Sequence, residues 1–119
     1  FPGFVDNPYG YMCAADVFVL SSKWEGPGHV LIEALALGTP VVATDCPLGP
    51  REVLDDGDAG LLVPVGDHEA MAEGIATVLD DPQLRATNVA AGRAAADRFH
   101  ESRAVERYRE VIAPLCEGE

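Results

Sequence analysis

Two carboxylates, Glu25 and Glu33, stand eight positions apart in the stretch Lys23-Trp24-Glu25-Gly26-Pro27-Gly28-His29-Val30-Leu31-Ile32-Glu33. Ionised carboxylates accept hydrogen bonds from pairs of sugar hydroxyls, as acidic residues do for ribose in dinucleotide sites. The residues between them suit a phosphate. Gly26 and Gly28 put no side chain in the way of a close backbone approach, and Pro27 sits near the first position of a helix, where its missing N–H does no harm. A helix opening there presents unpaired N–H groups and a partial positive charge through His29, Val30 and Leu31. With both Glu residues near one helix axis, their backbones lie roughly 10–12 Å apart, about the span of a sugar, a diphosphate and a ribose. The order is hydroxyl acceptor, diphosphate cradle, hydroxyl acceptor, which suits a nucleotide-sugar site.

The competing reading is that two Glu residues in an acidic chain are solvated surface charges. Glu33 stands apart from that reading because it is the lone acid in the run His-Val-Leu-Ile-Glu-Ala-Leu-Ala-Leu, where an unpartnered charge is costly. His29 lies one turn before it on the same helical face. It can orient the Glu33 carboxylate, touch phosphate, or be a plain surface histidine, and the sequence leaves all three open. Glu25 and Glu33 are too far apart to share one cation, and no Asp-x-Asp adjoins them, so binding is expected to need no divalent metal.

The elements that must carry this stretch alternate. Strands are expected over 1–5, 17–20, 41–44 and 60–63, and helices over about 9–15, 27–37, 50–54, 68–79, 82–99 and 101–115. The apolar runs at 17–20 and 41–44 do not alternate with polar residues, which suits strands buried on both faces of a parallel sheet. Gly38 followed by Thr39-Pro40 ends the helix that holds Glu33. Asp67 and Asp81 are candidate N-caps, and Met71, Ile75, Val78 and Leu79 form an apolar stripe that reads as core. Residues 45–50 form a loop at the rim where the site stretch begins. Strand–helix alternation implies an α/β fold with a parallel, doubly wound, Rossmann-like sheet.

The run Ala15-Asp16-Val17-Phe18-Val19-Leu20-Ser21-Ser22-Lys23-Trp24-Glu25-Gly26-Pro27-Gly28-His29-Val30-Leu31-Ile32-Glu33 and its continuation through Gly38-Thr39-Pro40 to Asp45 resembles the donor-binding core of the family 4 (group 1 type) retaining glycosyltransferases of GT-B fold. Their hallmark is two Glu residues separated by seven others, the spacing of Glu25 and Glu33. The resemblance is close over 1–79 and departs at Pro27, where the family often has an aromatic residue, and at His29, where it has a small or apolar one. It implies a nucleotide-diphosphate sugar as donor, with Glu25 on the hydroxyls of the transferred sugar as the catalytic position and Glu33 on the ribose. Gly26, Pro27, Gly28, His29, Val30 and Leu31 would line the diphosphate. It also makes 45–50 a second wall of the donor pocket, where Arg51 can meet phosphate or pair with Glu52 or Asp55. In the family, two further strands and basic residues facing the diphosphate precede the position of Phe1, and a separate N-terminal domain binds the acceptor. The chain therefore reads as an incomplete C-terminal half of a GT-B enzyme, inactive in isolation. A non-catalytic nucleotide-sugar module and a structural half-domain docking on a partner are the alternatives. With its first strands absent, the strand over 17–20 would have an open edge. Either the 1–5 strand moves in beside it, or a second molecule pairs there.

With 119 residues the chain is one domain at most, and 48% hydrophobic residues can form a core. Eight basic against twenty acidic residues give a net charge of −12, which argues against nucleic acid and anionic membrane surfaces as partners. No apolar run is long enough to span a bilayer, and no basic segment suggests a signal peptide. Phe1 stands where Met would be expected, so a piece of a longer protein is anticipated. Cys13, Cys46 and Cys116 are scattered and read as reduced thiols of a cytoplasmic protein, its parent at most peripheral to the inner face of a membrane. Cys46 is expected to be a small buried residue.

Overall fold

A computed structural model of the chain describes residues 3–24 and 29–99. Its elements run α1 (Pro8–Ala14), β1 (Phe18–Leu20), α2 (His29–Ala36), β2 (Val41–Thr44), α3 (Pro50–Val53), a 3₁₀ turn (Asp55–Gly57), β3 (Leu61–Val63), α4 (His68–Asp80) and α5 (Pro82–Asp97). The three strands form a parallel sheet in the order β1-β2-β3. Phe18 pairs with Val41 and Leu20 with Ala43, while Val42 pairs with Leu61 and Thr44 with Val63.

The unbroken apolar run of β2 is explained by its place. It is the central strand, and all four of its residues are buried. Alternation along the strand sends Val41 and Ala43 to one face, against Leu31 and Leu35 of α2, Val53, Leu54, and Ala95 and Ala96 of α5. Val42 goes to the other face with Val63 and Val78, backed by Met71 and Ile75 of α4. Each fully buried valine contributes about 1.5–3 kcal/mol of transfer free energy. This is the doubly wound arrangement expected from the alternation of strands and helices.

The ends of the helices follow the sequence signals. After α2, Gly38 takes φ +77°, its N–H bonds to Leu35 O at 3.1 Å, and Thr39 N bonds to Ala34 O at 3.0 Å. This is a Schellman motif with glycine where a left-handed residue is required. The Asp67 carboxylate accepts from Ala70 N at 2.9 Å. Asp81 accepts from Gln83 N and Leu84 N at 3.1 and 3.0 Å. Both act as N-caps.

Three expectations change. Residues 3–5 form no strand, Gly3 has φ +73°, and Phe4 is 93% exposed. Among the described residues, the short segment ended by Asp6-Asn7-Pro8 has no neighbouring strand to supply a ladder, so residues 3–5 do not close the edge of β1. That edge position also explains why β1 is only partly buried, with Val19 exposed, and not covered on both faces. Leu79 is exposed and leaves the apolar stripe of α4, whose buried positions are Gly74 and Val78. The helix expected over 27–37 is described from His29 onward, and the helix expected over 101–115 lies outside the described residues.

Candidate functional site

The strands of a parallel sheet all end on one rim, and here that rim carries the loops after Leu20, Thr44 and Val63. Open α/β sheets bind ligands at this end. The loop after β1 is anchored by Thr44, the last residue of β2. Its buried hydroxyl donates to Ser22 O at 2.5 Å, with Leu20 O at 3.4 Å. Residues 25–28, which include Glu25, Gly26, Pro27 and Gly28, lie outside the described residues. The described rim resumes at His29, the first residue of α2.

Within α2 the expected ligand-facing residues divide by atom type. Leu31 is fully buried and Val30 packs against the same core. Their side chains hold the helix to the sheet, and only their backbone N–H groups, in the first turn, are of use to an anion. His29 is exposed. Glu33 is half-buried, and the hydrogen bond it makes comes from Tyr9 of α1: Tyr9 Oη donates to Glu33 Oε1 at 3.2 Å. Of the readings open for His29, orientation of Glu33 is filled by this tyrosine instead. Sequence reasoning missed Tyr9, because nothing in a separation of 24 residues signals the contact. The negative charge of Glu33, and then its acceptance of the phenol proton, hold the Tyr9 pKa above its ordinary value of 10.0.

His29 lines a different opening. A cleft of about 910 Å³ is bounded by His29 and Ile32 of α2, Leu48, Arg51, Asp56 and Phe99. Arg51 was expected to meet phosphate or to pair with Glu52 or Asp55. Its partners are Asp45, through a two-pronged contact from Nε and Nη2, and Asp56, 3.5 Å from Nη1. Neither Glu52 nor Asp55 is among them, and Asp55 lies 3.8 Å from Arg98 Nη1 instead. The paired carboxylates raise the Arg51 pKa further above its already high ordinary value. The 45–49 loop takes positive φ at both Leu48 and Gly49, at 62° and 97°. A smaller hollow of about 200 Å³ lies beyond the strand ends, between Ser21, Thr44, Gly66, Asp67, His68 and Met71.

Cys46 is buried and Cys13 exposed, and neither is in a disulfide. The sequence does contain an Asp-x-Asp, Asp56-Gly57-Asp58, away from the α2 stretch, and Asp56 is engaged by Arg51. No group of three or more metal-ligating side chains is gathered among the described residues. No described helix is long and apolar enough to cross a membrane.

Residues 1–95 match the family of group 1 glycosyl transferases. The chain belongs to that family. Among curated relatives, it is 45% identical over 83 residues to N-acetylgalactosamine-N,N'-diacetylbacillosaminyl-diphospho-undecaprenol 4-alpha-N-acetylgalactosaminyltransferase of Campylobacter jejuni, a match covering 70% of this chain and 23% of that protein. It is 38% identical over 112 residues to the lipopolysaccharide core biosynthesis glycosyltransferase LpsE of Rhizobium meliloti, covering 94% of this chain and 31% of the relative. Among solved structures, HepE from Anabaena in complex with UDP superposes with a TM-score of 0.78 at 30% identity, over 87% of this chain and 29% of that one. The chain thus spans only 23–31% of the length of these proteins. Its mixed α/β fold is that of a part of GT-B enzymes.

Proposed function

We propose that the chain is the donor-binding part of a retaining, hexosyl-type glycosyltransferase, holding a nucleotide-diphosphate sugar while the glycosyl group passes to an acceptor. The observation that carries this reading is Glu33: the one acid of α2, a helix otherwise apolar beyond His29, with its carboxylate held by Tyr9. The UDP bound by the HepE neighbour supports it. In this reading Glu33 accepts the ribose hydroxyls, and Glu25 accepts those of the transferred sugar at the catalytic position. Residues Gly26, Pro27, Gly28, His29, Val30 and Leu31 form the diphosphate cradle, chiefly through backbone N–H groups. As the bond to the sugar breaks, charge grows on the diphosphate. Oriented N–H groups and the α2 dipole stabilise that charge without reorganising.

The acceptor side would come from a separate N-terminal domain of the full-length protein, so the 119 residues alone would bind donor without transferring it. Reduced cysteines and the acidic surface suit a cytoplasmic setting. No divalent ion is required, since backbone groups meet the diphosphate and the carboxylates meet hydroxyls. Excess chelator should leave nucleotide binding and transfer by the full-length protein intact, and a loss restored by magnesium or manganese would refute this part.

The test of the reading as a whole is Glu33→Ala in the full-length protein. Calorimetry with UDP, GDP and ADP should show the best-bound nucleotide weakened by about 1.5–3 kcal/mol, the range for hydrogen bonds to a charged group. Unchanged affinity would remove Glu33 from the site. Detectable binding with no transfer to any acceptor would favour a non-catalytic nucleotide-sugar module.

A further inference from the structure

A glutamate on a helix has three side-chain torsions, and holding its carboxylate in one direction costs conformational entropy. In this structure that direction is set from outside α2. Tyr9 is the second residue of α1, and α1 is itself fixed at two places along α2. At one end Tyr9 Oη meets Glu33 Oε1 at 3.2 Å. At the other, the buried Thr39 hydroxyl, just past the end of α2, donates to Met12 O at 2.6 Å. Met12 is buried in the core that holds Leu31, Ala34 and Leu35 of α2. The short helix is therefore a splint along α2, and the phenol is its contact with the carboxylate.

We infer that Tyr9 is a positioning residue for Glu33, presenting its carboxylate to a vicinal pair of hydroxyls, those of the ribose in the reading above. An ionised carboxylate has about four acceptor positions on two oxygens. The phenol takes one of them, on Oε1, and leaves Oε2 and the remaining position on Oε1 for a diol. A phenol suits this role because it donates one proton and cannot pair its charge with the carboxylate, as lysine or arginine would; either cation would compete with neutral hydroxyls for the same oxygens. The bond is longer than an optimal hydroxyl–carboxylate contact, so its effect is on direction more than on stability. The raised Tyr9 pKa agrees with a phenol that stays protonated and donates.

This inference rests on the assignment of Glu33 to the ribose, and the experiment separates the two. In the full-length protein, wild type, Tyr9→Phe, Glu33→Ala and the double variant are titrated with UDP, GDP and ADP. The best-bound nucleotide is then compared with its 2′,3′-dideoxy analogue. Tyr9→Phe keeps the ring and its packing. It should weaken the ribonucleotide roughly three- to tenfold, leave the dideoxy analogue unchanged, and add nothing further in the Glu33→Ala background. In turnover it should raise KM for the donor with kcat nearly constant. If Glu33→Ala has no effect on any nucleotide, or wild type binds none, the ribose assignment falls and the inference with it. If Glu33→Ala weakens binding and Tyr9→Phe does not, the inference alone is wrong. Equal weakening of ribo- and dideoxy-nucleotides by Tyr9→Phe would mean that Tyr9 only packs α1 on α2, and would also overturn it.

Discussion

The hydroxyl of Thr44 and the carbonyl of Ser22 lie 2.5 Å apart, so the last side chain of the central strand ties down the loop that leads to the candidate site. Thr44 is buried, and its β-branched shape suits a strand interior. Thr44→Val keeps that shape and removes the donor, leaving Ser22 O without this partner. We predict a loss of about 1–3 kcal/mol of stability, the cost of an unmet polar group in a part-buried place. Nucleotide affinity should fall as well, because the loop carrying Glu25 loses its anchor. Denaturant unfolding and calorimetry on the full-length protein check both, and an unchanged unfolding midpoint would show that the bond holds nothing.

Two glycines should respond to alanine with opposite signs. Gly38 sits at φ +77°, and an added Cβ would fall 2.4 Å from Arg93 Nη2. Gly38→Ala then costs about 1–2 kcal/mol for the left-handed backbone alone, together with displacement of the arginine. Gly10 lies inside α1 at an ordinary φ, with nothing within 4 Å of an added Cβ. There alanine should stabilise by up to about 1 kcal/mol through helix propensity. Thermal melts of the two variants decide it, and a shift of the same sign in both would contradict the assigned backbone.

How much of this was readable in advance follows from which interactions are local. The core of β2, the caps Asp67 and Asp81 and the Gly38 terminus are written in adjacent residues, and all three stand as expected. Likewise the placement of Glu33 on an apolar helix was legible from its neighbours. Its partner was not, because Tyr9 reaches it only through the docking of α1, which Met12 and Thr39 set. Arg51 shows the same limit on a smaller scale: the sequence leaves phosphate contact or an ion pair with Glu52 or Asp55 open, and the partners found, Asp45 and Asp56, depend on the path of a loop with positive φ at Leu48 and Gly49. Residues 3–5 of the strand expected over 1–5 form none, for the complementary reason. Its pattern was apolar enough, but a strand exists only with a neighbour to pair with.

The Tyr9 phenol offers a spectroscopic check on the contact with Glu33. Its pKa is raised, first by the charge of Glu33 and then by the hydrogen bond to it. The protonated form is the one favoured in the fold. Any stabilisation is therefore fully present below the ordinary phenol pKa of 10.0, and it is lost as pH rises through the raised value. Near neutral pH the bond is intact and insensitive to pH. Ring signals of Tyr9 followed by NMR should titrate at higher pH in wild type than in Glu33→Gln, where the charge is gone. Coincident titrations would mean that the two residues do not meet in solution.

The edge of β1 leads to the last prediction. Phe18 N donates to Pro40 O at 2.7 Å and Phe18 pairs with Val41, so Phe18 and Leu20 direct their backbone groups at β2. By the alternation of a parallel ladder, the N–H and C=O of Val19 point away from it. Among the described residues no strand lies on that side, and Val19 is exposed. Phe4, Tyr11 and Trp24 are exposed as well, so the surface offers apolar area in addition to an unpaired edge, a combination that recruits other chains. We predict that the 119-residue chain by itself self-associates, or melts at low temperature. Val19→Lys places a charge on the edge without touching the β2 ladder, and should shift the isolated chain toward monomer in sedimentation. A monodisperse wild-type chain with a cooperative melt at ordinary temperatures would show that an edge of three residues is too short to recruit a partner.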